Sequence, residues 1–242
     1  MRGFVDLHCH FVAGIDDGAR SPEESVELLR ALRRAGFDRV IATPHMRPGL
    51  FDNTAGDLRA AYDALLPSLP TDGSLPTTEL SSEHYFDDVV FSRLMNGEGL
   101  PYPGARAVLL EFYEINFPPM VDQRLADLRR NRALMPVIAH PERYHAIWQS
   151  PEILERLLDL GAAALLDVAA LAGKYGRRAK ACAETLLDAE LYQAACSDAH
   201  RPADVESVLA GMQVIERRYG AEELDFLLRD GPLALLNGEI PT

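Results

Sequence analysis

Cysteine is scarce in this chain: three in 242 residues, at positions 9, 182 and 196. An odd count without framework spacing argues against a disulfide-stapled fold and fits a reducing cytoplasm. Basic residues are also short, with 24 Lys and Arg against 37 Asp and Glu, a formal charge of −13. That balance argues against nucleic-acid binding as a main task. No apolar run reaches about 18 residues, so no membrane-spanning helix is expected. The first residues run straight into a strand carrying acid and histidine, so no signal peptide is expected either. Composition shifts, internal repeats and low-complexity tracts are missing, which points to a single domain over residues 1–242. The chemistry narrows by absence too. There is no Gly-x-Ser-x-Gly elbow, no Walker loop and no Gly-x-Gly-x-x-Gly. A cysteine-dependent phosphatase needs Arg six positions after its Cys, and here Ile15, Asp188 and Pro202 stand there.

Histidine and carboxylate at strand ends are what the chain has instead. His8-Cys9-His10 follows the apolar run Gly3-Phe4-Val5-Asp6-Leu7. Side chains alternate faces along a strand, so His8 and His10 share one face and Cys9 takes the other. Further candidate ligands are His45, Glu83, Glu111, His140, Asp198 and His200. A single histidine is usually structural, and a solvated acidic surface explains most acidic chains. Six of seven histidines at or near strand ends is harder to explain that way. His145 is the exception and reads as structural. Glu111 ends an apolar strand, where a buried carboxylate needs partners. Imidazole with carboxylate suits Zn, Mn, Fe or Ni. Eight ligands exceed what one ion takes, so a cluster of two or three divalent ions is the economical reading. Two or three ions would also offset up to roughly six of the negative charges. Ions about 3.5–4 Å apart can clamp both oxygens of a phosphoryl transfer. Arg143 and Arg47 follow candidate histidines closely enough to hold a phosphate at the mouth. Arg20 and Arg201 are further candidates, better read as solvated surface arginines.

The order of elements alternates. After the first strand comes the loop Gly14-Ile15-Asp16-Asp17-Gly18. Ser21-Pro22-Glu23-Glu24 reads as a helix start with a capping box, and Gly36 as its stop. Val40–Thr43 is a short buried strand ended by Pro44-His45. Helices are expected over Thr54–Leu66, Asp87–Asn96, Pro119–Arg132, 203–219 and 221–229. Strands are expected over Thr78–Glu83, Ala107–Leu110, Met135–Ala139, Ala162–Val168 and Gln193–Cys196. Seven strands, each followed by a helix, imply a parallel α/β barrel whose active face lies at the strand C-terminal ends. His45, Glu111, His140 and Asp198 sit at such ends.

Three segments together carry a resemblance: Phe4-Val5-Asp6-Leu7-His8-Cys9-His10, Gly14-Ile15-Asp16-Asp17-Gly18 and Ala42-Thr43-Pro44-His45. So do Leu110-Glu111-Phe112, Pro136-Val137-Ile138-Ala139-His140-Pro141-Glu142-Arg143-Tyr144, Gly173-Lys174-Tyr175-Gly176 and Ser197-Asp198-Ala199-His200. The chain resembles the PHP (polymerase and histidinol phosphatase) superfamily. More closely it is similar to the bacterial manganese-dependent tyrosine phosphatases of capsule and exopolysaccharide loci. That resemblance implies a distorted (β/α)7 barrel with three metals at its mouth. His8, His10, Glu111 and Asp198 would hold one. Glu111 would bridge to a second, shared with His140. His45, Glu83 and His200 would hold the third. Arg143, Arg47 and Asp17 are the implied catalytic residues. A metal-bridging hydroxide would attack phosphorus in line, with no phosphoenzyme. The implied partner is a phosphotyrosine protein, a bacterial tyrosine kinase. Two departures stand out. The usual Gly-x-Glu-aromatic segment reads Leu80-Ser81-Ser82-Glu83-His84-Tyr85, leaving Glu79 and His84 as competitors. After His200 the chain goes directly to Arg201-Pro202, so the further substrate arginine of the family is either Arg201 or missing. Glu114 competes with Glu111. Alternatives are a histidinol-phosphatase-like enzyme, a phosphodiesterase relative and a non-catalytic binding module.

Overall fold

The computed structural model describes residues 2–241. Its first helix, α1 (Pro22–Ala35), illustrates how local chemistry sets the elements. Ser21 Oγ accepts the Glu24 amide, Pro22 occupies the first turn, and Gly36 closes the helix at φ 110°. The expected capping box is only half present. Glu24 Oε2 accepts from the Arg20 amide at 2.7 Å rather than from Ser21. Leu28, Leu29, Ala31, Leu32 and Ala35 form the buried face. The second helix, α2 (Ala55–Leu65), carries a full capping box between Thr54 and Asp57.

Seven strands among the described residues pair in parallel. They are β1 (Phe4–Cys9), β2, β3, β4 (Ala107–Glu111), β5 (Met135–Ala139), β6 (Ala163–Asp167) and β7 (Ala194–Cys196). β2 comes in two pieces, Phe37–Ala42 and His45–Met46, and β3 likewise, Thr77–Leu80 and Glu83–Tyr85. Each strand pairs with the next: Asp6 with Val40, His45 with Glu83, Tyr85 with Glu111. The same holds for Leu109 with Val137, Val137 with Ala163, and Leu165 with Ala194. Closure comes just past β7. The Asp198 amide donates to His8 O at 2.9 Å, and His10 donates to Ala199 O at 3.0 Å. The order 1-2-3-4-5-6-7-1 is a closed (β/α)7 barrel, distorted by the breaks in β2 and β3. Both breaks keep their hydrogen bonds: Thr43 donates to Cys9 O, Ser81 to Ala42 O, and Ser82 Oγ to Pro44 O.

Crossover helices cover the outside: α1, α2, α3 (Asp88–Asn96), α4 (Val121–Arg132), α5 (His145–Gln149) with α6 (Glu152–Asp159), α7 (Gly176–Asp188) and α8 (Asp204–Arg218). α4 begins two residues later than the sequence suggests, because Met120 turns into the left-handed region at φ 60°. The barrel interior is filled by Val5, Leu7, Ile41, Leu109, Val137, Leu165 and Cys196, closed below by Leu235 and Leu236. Those last two belong to a helix, α9 (Gly231–Leu236), that sequence reading did not anticipate. It sits against β7 because position 231 is glycine: a Cβ there would lie 2.1 Å from Gln193 O. Burying such side chains stabilises by about 1.5–3 kcal/mol each. The floor closes the barrel interior at the N-terminal end of the strands. No described helix is long and apolar enough to cross a membrane.

Candidate metal centre

All eight candidate ligands converge on the C-terminal end of the barrel. His8 and His10 share a face as the strand period requires, their Nε2 atoms 3.1 Å apart. Cys9 points outward into the helix-facing core. Asp198 Oδ1 stands 3.3 Å from His8 Nε2 and 3.4 Å from His10 Nε2. Glu83, only 1% exposed, is the hub. Its Oε2 lies 3.2 Å from His8 Nε2, 3.4 Å from His10 Nε2 and 3.0 Å from His45 Nδ1. Its Oε1 lies 3.0 Å from His140 Nε2. Glu111 Oε2 lies 3.8 Å from His45 Nδ1 and 3.8 Å from Arg47 Nη1. Asp17 Oδ1 lies 3.4 Å from His45 and 3.5 Å from His200.

These spacings match one geometry. Ligand atoms about 2.1 Å from one ion stand about 3.0 Å apart on an octahedron and about 3.4 Å apart on a tetrahedron. Four overlapping groups of donor atoms lie within 4.8 Å of one another: His8, His10 and Asp198; His8, Glu83 and His140; His45, Glu83 and Glu111; His10, Asp17, His45 and His200. Asp198 Oδ1 and Glu111 Oε2 are buried without a hydrogen-bond donor, which is the state of a carboxylate oxygen waiting for a cation. The donor set therefore fits divalent metal ions.

Without ions the groups perturb one another strongly. Burial opposes charge on Glu83 and Asp198, yet the surrounding histidines outweigh it, and both carboxyls lie well below their ordinary values. Burial also opposes charge on His10, but Asp16, Asp198 and Glu83 raise its pKa well above the histidine norm. Glu111 is pushed up to about 7 by burial and by the charge on Glu83. His140 is brought down to about 4 by burial and by Arg143.

The framework behind these groups is specific. His140 and Asp198 adopt left-handed backbone at φ 34° and 43°, a conformation costing about 1–3 kcal/mol for a residue with a side chain. Their amides are held by Leu165 O and His8 O, both at 2.9 Å. Asp16 Oδ2 binds His10 Nδ1 at 2.8 Å and the His45 amide at 3.1 Å, fixing the imidazole whose other nitrogen faces the centre. Sequence reading had seen Asp16 only as loop. Its signal was the Asp-Asp-Gly run, where Gly18 is required: a Cβ there would fall 2.0 Å from His10 O.

Residues 4–237 match the family described as capsular polysaccharide synthesis, CpsB/CapC. The chain belongs to the CpsB/CapC family. The tyrosine-protein phosphatase YwqE of Bacillus subtilis is 31% identical over 237 residues, covering 97% of this chain and 92% of that one. The tyrosine-protein phosphatase CpsB of Streptococcus pneumoniae is 24% identical over 245 residues, covering 98% and 99%. One solved structure comes from work on YwqE and CpsB as unique metal-dependent tyrosine phosphatases. It aligns with TM-score 0.87 and 31% identity over 97% of this chain and 95% of that one. A phosphotriesterase homology protein from Escherichia coli, at 14% identity and TM-score 0.58 over 96% of this chain and 97% of that one, shares the fold.

Within this CpsB/CapC barrel the competing residues separate cleanly. Glu79 lies outside the barrel mouth, ion-paired with Arg39. His84 is buried with both nitrogens taken, Nδ1 by Leu109 O and Nε2 by the Leu100 amide, and burial brings its pKa down to about 4. Glu114 is at the exposed rim, 3.7 Å from Arg143. Glu83 places its two oxygens within 3.0–3.4 Å of ring nitrogens from four histidines, while Glu111 Oε2 lies 3.8 Å from His45 and from Arg47. Asp17 joins His45 and His200 as a candidate ligand. Arg143 Nη1 binds Asp198 Oδ2 at 2.9 Å, and its guanidinium lies 4.6 Å over the Tyr175 ring. Arg47 lies 4.2 Å over Tyr85. Arg201 lines the mouth and contacts Glu24 at 3.6 Å, whereas the Arg20 amide is tied to Glu24 on an exposed turn. His145 stacks on Trp148 with ring centroids 4.2 Å apart, away from the ligand groups.

Proposed function

We propose that the chain is a metal-dependent phosphomonoesterase that removes phosphate from phosphotyrosine in protein. The observation that carries the reading is one cluster of donor atoms at metal-ligand spacing with two arginines at its mouth. Around it His8, His10, Glu83 and Asp198 would hold one ion. A second would sit among His8, Glu83 and His140, and a third against His45, with Glu83 and Glu111 or with Asp17 and His200. We take manganese as the first choice, with iron, zinc or nickel as alternatives. When bound, the ions supply Lewis-acid charge and activate water for attack on phosphorus.

The chain's own residues do the rest. Arg143 and Arg47 face a phosphate from two sides. Each is preset by an aromatic ring and a carboxylate, so little side-chain freedom is lost on binding. Asp16 keeps His10 oriented. No thiol is placed to act as nucleophile: Cys9 and Cys196 are buried with pKa values pushed well above the ordinary thiol, and Cys182 is pushed up to about 12. Hydrolysis then proceeds without a phosphoenzyme. The phosphotyrosine partner we infer is a bacterial tyrosine kinase controlling polysaccharide synthesis; the kinase rests on the sequence resemblance, and the polysaccharide on the family's description.

The test is to measure bound metal and assay a phosphotyrosine peptide with Mn²⁺ and with chelator, beside histidinol phosphate. Two to three ions per chain and chelator-sensitive turnover of the peptide are expected. Turnover of histidinol phosphate alone would move the substrate to a small ester. No metal and no turnover would overturn the reading.

A further inference from the structure

Two depressions adjoin the metal cluster, and their walls differ in chemistry. The one beside β5, β6 and β7 is mainly charged, with Tyr175 as its aromatic ring among Asp17, Arg143, Lys174, Asp198, His200 and Arg201. The other, beside β3 and β4, is an apolar groove of about 490 Å³ walled by Tyr85, Phe86, Val89, Tyr113, Phe117 and Pro119. That volume falls within the range of about 300–1,000 Å³ usual for ligand pockets. The groove is continuous with the cluster. Tyr85 pairs with Glu111 across β3 and β4, and its ring supports Arg47. The far wall is open: Val89 is 49% and Tyr113 53% exposed, and Ile115 and Met120 on the same loop are exposed as well. Apolar side chains gathered in the open beside a reactive centre mark a contact surface, because water alone gains nothing from them.

We propose, resting on the phosphatase reading above, that this groove receives the residues flanking the phosphotyrosine of a protein substrate. A phosphotyrosine presents its dianion, then its ring, then the peptide chain. With the phosphate between Arg47 and Arg143, ring and chain must leave by one depression or the other. The charged one offers a substrate ring only Tyr175, whose face Arg143 already covers at 4.6 Å, among groups that need water. The groove instead buries ring and neighbours against Tyr85, Val89 and Tyr113. Its lining includes two acids, Asp87 and Asp88, and no base. The accepted segment therefore has apolar rather than acidic flanks.

The test compares two substrates on the metal-loaded protein: p-nitrophenyl phosphate, which has a ring but no flanks, and phosphotyrosine peptides with apolar or acidic flanks. Variants are Val89→Ser and Tyr113→Ser, at exposed positions where folding is little affected. Leu209→Ser, an exposed site on α8, is the control, and Tm and metal content are recorded for all. The groove variants are expected to lose about tenfold more kcat/KM on the apolar-flanked peptide than on p-nitrophenyl phosphate, chiefly through KM. The unaltered protein is expected to favour that peptide over the acidic one. Equal effects on both substrates, or no effect on either, would overturn the groove assignment while leaving the phosphatase reading intact. A changed oligomeric state in the groove variants would overturn it in favour of a second copy of this chain. Failure of the unaltered protein on every substrate would overturn both.

Discussion

Replacing Glu83 with Gln separates the arrangement found here from the one that sequence resemblance implied. Glu83 presents both oxygens to the cluster, within 3.0–3.4 Å of ring nitrogens from four histidines. It is shared by two of the four donor groups. The amide keeps the shape but removes the charge from a fully enclosed position. Losing one partner of a buried charged set costs about 3–5 kcal/mol. At about 1.4 kcal/mol per tenfold, that is a drop of about 10²–10⁴ in metal affinity and in kcat/KM. Glu111→Gln should lose less, since Glu111 Oε2 stands 3.8 Å from His45, farther than Glu83 stands from its four histidines. Glu79→Gln should change neither quantity, because a solvent-facing pair such as Glu79 with Arg39 is worth about 0–1 kcal/mol. Metal content per chain by elemental analysis, beside kcat/KM on a phosphotyrosine peptide, reads all three. Retention of metal and rate by Glu83→Gln, or a larger loss in Glu111→Gln, would refute the central role of Glu83.

Three more outcomes are expected. Asp16→Asn should lower metal affinity or turnover by about 10–100-fold, the usual effect of removing the group behind a ligating imidazole; titration with Mn²⁺ checks it, and unchanged affinity would mean His10 is oriented otherwise. Cys9→Ser should retain most activity, because its thiol faces Ala199 O at 3.3 Å on the outer face. Complete loss in a folded variant would reopen cysteine catalysis. Gly18→Ala should destabilise by about 1–3 kcal/mol, since the added carbon would collide with the His10 carbonyl and force the loop to shift. A thermal scan equal to that of the unaltered protein would contradict this.

The strand–helix alternation was legible because each element carries a local signature. Ser21, Pro22 and Gly36 bound α1, and Ala107–Leu110 reads as a buried strand without reference to the rest of the chain. The eight histidines and carboxylates gathered at the mouth were legible as candidates for the same reason: each lies at or near a strand end or two residues from another. Misreadings fell where a local signal was missing. The helix at Gly231–Leu236 follows a wide turn over Phe226–Asp230, a periodicity that pattern reading does not weigh.

What the sequence alone determined, then, is the (β/α)7 plan and the identity of the side chains near the mouth, because period and capping act over a few residues. What only the tertiary structure decided is which of those side chains meet. Glu83 and Glu79 differ by four positions, yet the break at Ser81-Ser82 sends one into the barrel and leaves the other on its surface. His84 and His140 are both buried and both near neutral, yet backbone groups use both nitrogens of one and leave the other facing Glu83. Arg143 acquires Asp198 from far along the chain, Asp16 ties the nearby His10 to the more distant His45, and the groove beside Tyr85 joins separate segments as well. Such contacts depend on how seven strands tilt and close. Spacing along one strand does not encode distances across a barrel.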